Sequence, residues 1–234
     1  MSYKPVIILG GGKSVREGVA LGLFEHIKNK EVWSLNYSYK LLPFLPTRQL
    51  FVDFNFFKNN TADIENLYKN GVPIHVKKHS RYNILGIEWL HQYNSVREQG
   101  GFRGKDALKE PPEVHLFVGR LGLVGTFSLS LAIAEGYDEI YLLGFDFGVP
   151  VNTDKDTHWY QNEIKVESTG VGKPLVYMQP NGQIKKQVED FKVFTTVPDI
   201  RIYNISVNSN IEYFSKYTYE EFFKLLEDNE KNNS

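Results

Sequence analysis

No cysteine occurs among the 234 residues. This excludes a disulfide framework, a thiolate nucleophile, an iron–sulfur cluster and a cysteine zinc site. Histidine, carboxylate, hydroxyl and backbone amide are left to carry any chemistry. An excess of one charge is also missing. The 27 basic residues against 28 acidic ones give a net charge of −1, so no global field attracts a polyanion and sequence-independent nucleic-acid binding is not expected. No apolar run approaches the ~20 residues of a membrane helix. Met1 to Pro5 lacks the basic region that precedes the apolar stretch of a signal peptide, and the apolar run Val6 to Leu9 stops at three glycines, so the expectation is a soluble, cytoplasmic protein. The 41% hydrophobic and 14% aromatic residues that are present suffice for a substantial core and exclude global disorder. One domain over residues 1–226 is expected, with a flexible polar tail at 227–234.

Val6-Ile7-Ile8-Leu9 is short, apolar and β-branched, the pattern of a strand buried on both faces of a parallel sheet. Gly10-Gly11-Gly12 ends it. Val15, Val19, Leu23 and Ile27 then recur at helical spacing, with Ser14 as an N-cap and Glu17 as its capping-box partner. Further strands are predicted at 32–36, 49–53, 72–76, 114–118, 139–143 and 201–205. Helices are predicted at 62–69, 86–93, 126–135, 183–195 and 219–226, the one at 126–135 amphipathic and capped by Gly136. The polar, aperiodic stretch 149–181 is too long for an ordinary connection and reads as a lid or an insertion. Strands alternating with helices predict an α/β, Rossmann-like, doubly wound and mostly parallel sheet with helices on both faces. Ligands of such sheets sit beyond the carboxyl ends of the strands.

That rule ranks the polar residues. Gly10-Gly11-Gly12-Lys13-Ser14 is neither a P-loop, because Ile7 stands where its first glycine belongs, nor a dinucleotide fingerprint, because Val15 and Asn36 replace the third glycine and the acidic residue. It remains a turn at which backbone amides and a helix start can attract phosphate, or a tight turn without a ligand. Asn36 and Asp53 end neighbouring strands. Each alone fits a turn cap, and together they fit a nucleotide's ribose or base. Asp146 follows an apolar strand, where a carboxylate needs water, a donor or a metal, or else serves as a cap. His158 lies in the long excursion beside Trp159 and Tyr160 and is a candidate general acid or base, with a surface histidine as the bland alternative. His75, His79, His91 and His115 lack zinc-ligand spacing. Arg81, Tyr82 and Arg103 are unranked candidates for a second substrate. The aromatic residues Tyr213, Phe214, Tyr217, Tyr219, Phe222 and Phe223 either pack the last helix or form a homo-oligomer interface.

Gly122-Leu123-Val124-Gly125-Thr126, followed by the run from Ala132 through Glu139 to Asp146, resembles a central block shared by two related groups. One is the CMP-sialic-acid-dependent sialyltransferases of glycosyltransferase family 42. The other holds the flagellin motility accessory factors and the 6-hydroxymethylpterin diphosphokinase-like proteins. The glycine turn, Asn36 and the run Asn204 to Ser209 match in order and spacing. The resemblance implies a nucleotide or nucleotide-sugar donor, CMP-type, held by Gly10, Gly12, Ser14, Asn36 and Gly125, and a hydroxyl acceptor with His158 as base. Their place at the turn and strand ends adds Gly11, Lys13, Asp53 and Thr126 to the expected nucleotide site and Asp146 to the expected catalytic residues. The chain departs from the sialyltransferases at Val124, where they carry serine, and at Gly148, where they carry a lid tyrosine. In the second group the resemblance implies a magnesium-dependent diphosphokinase with Asp53 and Asp146 as metal ligands, or a non-catalytic nucleotide-binding module.

Overall fold

The computed structural model describes residues 4–93, 123–147, 158–160 and 187–233. The strand predicted at 114–118, the excursion at 149–157 and 161–181, Arg103 and Gly148 lie outside them. Eight strands are hydrogen-bonded into one sheet: β1 (Pro5–Leu9), β2 (Val32–Leu35), β3 (Arg48–Phe51), β4 (Ile74–Lys77), β5 (His91–Tyr93), β6 (Glu139–Leu143), β7 (Arg201–Ile205) and β8 (Ser215–Lys216). Their spatial order is β5-β4-β3-β2-β1-β6-β7-β8, and every neighbouring pair is parallel. The order reverses at β1, so a crevice forms beyond its carboxyl end.

The apolar runs in β1 and β6 are continuous because both faces are covered. Val6, Ile8, Ile140 and Leu142 face one layer, which contains α6 (Val124–Ala134) and the 3-10 turns Asp190–Thr196. Ile7, Leu9, Tyr141 and Leu143 face the opposite layer, built from α1 (Val15–Ala20), α2 (Leu23–Ile27) and α7 (Tyr219–Asn233). A third cluster joins Phe51, Ile74 and Val76 to α3 (Phe54–Asn59), α4 (Thr61–Lys69) and α5 (Ser80–Ile84).

Several expectations are corrected. The helix predicted from Val15 to Ile27 is two helices, broken where Gly22 turns left-handed at φ +85°. Residues 86–93 hold no helix; His91–Tyr93 is the edge strand β5, whose pairing to β4 outweighs a weak helical period. Helix α6 is buried from Gly125 to Ala134 rather than amphipathic. Its hydroxyls are satisfied locally: Thr126 donates to Leu123 O (3.0 Å), Ser128 to Gly125 O (2.8 Å) and Ser130 to Thr126 O (2.8 Å). The helix expected at 183–195 is α-helical at 187–189 and tightens into 3-10 geometry over Asp190–Thr196. Helix α7 continues through the residues read as a tail, and Asn229 donates to Glu139 Oε1 at 2.9 Å. Thr218 and Glu221 form a reciprocal capping box at its start. Of the carboxyl-terminal aromatic residues, Phe214, Tyr219, Phe222 and Phe223 are buried within this chain, while Tyr213 and Tyr217 are half-buried.

Candidate active site

Strand β1 delivers the glycine turn to the reversal point, and β6 delivers Gly144 to Asp146 beside it. Gly10 N donates to Leu143 O (2.7 Å) and Gly12 N to Gly144 O (2.9 Å). A Cβ added at Gly12 would stand 2.6 Å from Asp146 Cγ, so this close approach requires glycine. Ser14 does not cap α1 with its side chain. Its amide donates to Asp146 Oδ2 (2.9 Å) and its hydroxyl to Oδ1 (2.5 Å), so both carboxylate oxygens grip the start of α1. In this turn, for which phosphate attraction and a tight turn without a ligand are the two expectations, the amides of Gly10, Gly12 and Ser14 are engaged within the protein.

Asp146 is itself braced from β7. Asn204 and Ser209 both donate to Phe145 O, at 3.4 and 2.6 Å, and Asn210 N donates to Asp146 O at 2.9 Å. Tyr219, the first residue of α7, lies with its ring against Gly18 and its hydroxyl beside Ser14 and Asp146; burial and that carboxylate raise the phenol's pKa. Sequence reading missed Tyr219 in this role, because only the fold brings the last helix beneath the first turn.

His158, Trp159 and Tyr160 lie directly on the glycine turn. His158 forms an isolated antiparallel bridge with Gly12, Trp159 N donates to Gly11 O (3.1 Å), and Arg16 Nη2 donates to Trp159 O (2.9 Å). The rings of His158 and Tyr160 are 5.0 Å apart, and Tyr160 continues at 5.0 Å to Tyr37. Burial lowers the His158 pKa to about 4, against the opposing pull of the Asp146 carboxylate, so its imidazole is neutral at pH 7. A histidine singled out for standing beside aromatics is thereby placed at the strand reversal within the electrostatic reach of Asp146.

Asn36 follows β2 at φ +50°, a left-handed conformation uncommon outside glycine, and its carbonyl accepts from Gln49 Nε2 (2.9 Å). Ser38, in the same 3-10 turn Asn36–Lys40, donates to Gly10 O (2.8 Å), which ties the end of β2 to the glycine turn. Lys13 is half-buried in that turn. Gly125 and Thr126 are both buried in the first turn of α6. A Cβ at Gly125 would meet Phe145 Cε1 at 2.8 Å, so close packing requires glycine there.

Asp53 follows β3 as the N-cap of α3, accepting from Asn55 N at 2.8 Å. With neighbouring strands ~4.8 Å apart, it stands roughly 10 Å from the glycine turn, two strands away. Asp53 and Asp146, the ligands expected for a diphosphokinase's magnesium, thus follow strands three places apart in the sheet. Among the described residues, no group of three or more histidine and carboxylate side chains is placed to hold a metal. None of their helices is long and apolar enough to cross a membrane.

No protein-family model and no curated protein sequence matches the chain. Solved structures do. The MAf glycosyltransferase from Magnetospirillum magneticum AMB-1 aligns at TM-score 0.55 and 16% identity over 93% of this chain, which spans 34% of that protein. The likeness is one of fold. The sialyltransferase CstII from Campylobacter jejuni, in complex with the substrate analogue CMP-3FNeuAc, aligns at 0.55 and 18% identity over 92% of this chain and 86% of its own. CST-II with a trisaccharide acceptor and CMP aligns at 0.53 and 19% over the same shares. The chain thus spans about a third of the first neighbour and most of the sialyltransferase. The Rossmann-like α/β sheet anticipated from the strand–helix alternation is the architecture they share.

Proposed function

We propose that this protein is a glycosyltransferase that moves a sugar from a nucleotide donor to an acceptor hydroxyl. The observation that carries the reading is a neutral histidine, His158, seated on the glycine turn at the strand reversal of a sheet whose structural neighbours are glycosyltransferases. The acceptor oxygen attacks the anomeric carbon, the bond from that carbon to the donor phosphate breaks, and the acceptor's proton passes to the His158 imidazole. The nucleotide leaves as its phosphate. Asp146 stabilises the imidazolium as it forms and keeps the turn in place through Ser14. Asn36, with its backbone held left-handed, presents its amide at the same edge for the donor. Gly125 and Thr126 contribute through the packing of α6. The CMP seen with the sialyltransferase neighbour makes a cytidine nucleotide the first donor to test.

The test is a thermal-shift panel of CMP, CDP, UDP, GDP and ATP, with and without magnesium. A ligand at ~100-fold its Kd stabilises the native state by ~2.7 kcal/mol. CMP is expected to raise the melting temperature equally with and without magnesium. A shift confined to ATP with magnesium would overturn the reading in favour of phosphoryl transfer.

A further inference from the structure

Two directions lead away from the glycine turn along the carboxyl edge of the sheet, one over β6 and β7 and one over β2 and β3. Over β6 and β7 the protein's own bonds fill the edge: Asn204 and Ser209 reach Phe145 O, while Asn210 reaches Asp146 O and, at 2.8 Å, Phe147 O. The other direction passes Asn36 and ends in a cavity of about 390 Å³ beyond β3 and β4, a volume in the range of small-molecule sites. Asp53, Phe54, Asn55, His79 and Arg81 line it, together with Lys77, which is engaged within the protein. This lining suits a flat, hydrogen-bonding ring. Phe54, 8% exposed, is a fixed floor: the His79 ring stacks on it at 5.1 Å and 22°, and the Arg81 guanidinium stands 5.2 Å from the same ring centre. Planar groups braced in this way are surfaces on which a nucleobase stacks. Asp53 Oδ1 accepts from Asn55 N, and Oδ2 has no hydrogen-bond partner among the described residues. A carboxylate oxygen only accepts, so it takes an amino group and repels a carbonyl.

We propose that this cavity binds the base of the donor nucleotide and that Asp53 selects a base with an exocyclic amino group, cytosine over uracil. The proposal rests on the nucleotide-donor reading. Asp53 Oδ2 accepts from the cytosine amino group, the ring stacks on His79 and Arg81, and Asn36, following β2, lies beside the ribose. The phosphate stays at the turn. Asp53 stands two strands from β1, roughly 10 Å at the usual strand spacing, which is about the reach of a nucleoside monophosphate from its phosphate to the far edge of its base. The anomeric carbon bonded to that phosphate is thereby kept at the His158 end of the site.

Isothermal titration of the full chain with CMP and UMP, which differ only at the edge of the base, tests this. CMP is expected to bind ~10-fold or more tightly, the size of a hydrogen bond to a charged group. Asp53→Asn keeps the cap on α3 through its amide oxygen and turns an NH2 donor toward the base. It is expected to weaken CMP by ~10-fold and to strengthen UMP, so that the preference is levelled or reversed, a swap that a merely structural role would not produce. Arg81→Ala, at an exposed position, is expected to weaken both nucleotides by ~10-fold and leave their ratio unchanged. A parent that binds UMP as well as CMP or better, a CMP preference that survives Asp53→Asn, or affinities indifferent to Arg81→Ala overturn the proposal and leave the donor reading standing. Binding of neither nucleotide overturns that reading, and the proposal with it.

Discussion

At the scale of single residues, the chemistry rests on how His158 is kept neutral and placed. With its pKa near 4, the imidazole accepts a proton throughout the physiological range, so kcat/KM is expected to stay flat from pH 7 to pH 6 and to fall only as pH approaches 4. An acidic limb centred near 6.5 would show that burial does not govern this group. His158→Ala is expected to lower kcat by ~10²–10⁴, the usual contribution of a general base, with nucleotide affinity retained; turnover within a few-fold of the parent removes the assignment. Asp146 acts through its surroundings. Because both its oxygens hold Ser14, Asp146→Asn forfeits charge-assisted bonds at the turn, and donor affinity and kcat are expected to fall together, whereas Tyr219→Phe, which keeps the ring on Gly18, should change kcat far less. The sequence singles out Asp146 and His158 from strand-end position and aromatic company. It does not show that Ser14 serves Asp146 rather than its own helix, because that partnership spans 132 residues of chain.

At the scale of elements, the structure turns on loops that cap and clamp. Asp53 caps α3, so Asp53→Ala is expected to destabilise the fold by ~1 kcal/mol in urea unfolding, while Asp53→Asn, still a good cap, should leave stability nearly unchanged. A loss equal in both variants would show that the carboxylate charge rather than the cap is what matters. The strands of the central sheet were legible because a buried parallel strand must be apolar on both faces, as Val6 to Leu9 and Ile140 to Leu143 are. The edge was not. His91–Tyr93 is polar and three residues long, and its strand conformation comes from hydrogen bonds to β4 that no local pattern encodes. Helix α6 misled in the opposite sense: it reads as amphipathic, yet its serines and threonine bond back to their own backbone and are buried.

At the scale of the whole molecule, two histidines, His75 buried and His158 half-buried, make stability depend on pH. His75, 5% exposed, stacks on His91 at 4.8 Å, and its Nδ1 shares a hydrogen with the Tyr93 hydroxyl at 2.8 Å. Burial, reinforced by Arg48 and His91, lowers its pKa to about 3, and that of His158 falls to about 4. Both are thus neutral in the native state under conditions where the unfolded chain, with histidines near 6.5, takes up protons. Between pH 6.5 and those depressed values the unfolded state binds more protons, so stability is fully present above 6.5 and is lost as pH falls toward 4 and then 3. Each histidine is expected to cost on the order of 2 kcal/mol between pH 7 and pH 4.5. Urea unfolding at the two pH values measures the sum, and His75→Leu isolates one part of it. The variant gives up the bond to Tyr93 at both pH values, but its loss between them should be smaller than the parent's by about the His75 share. An unchanged difference between the two pH values would mean that the interior around β4 and β5 admits water or charge readily, and that the acid sensitivity resides in the carboxylates instead.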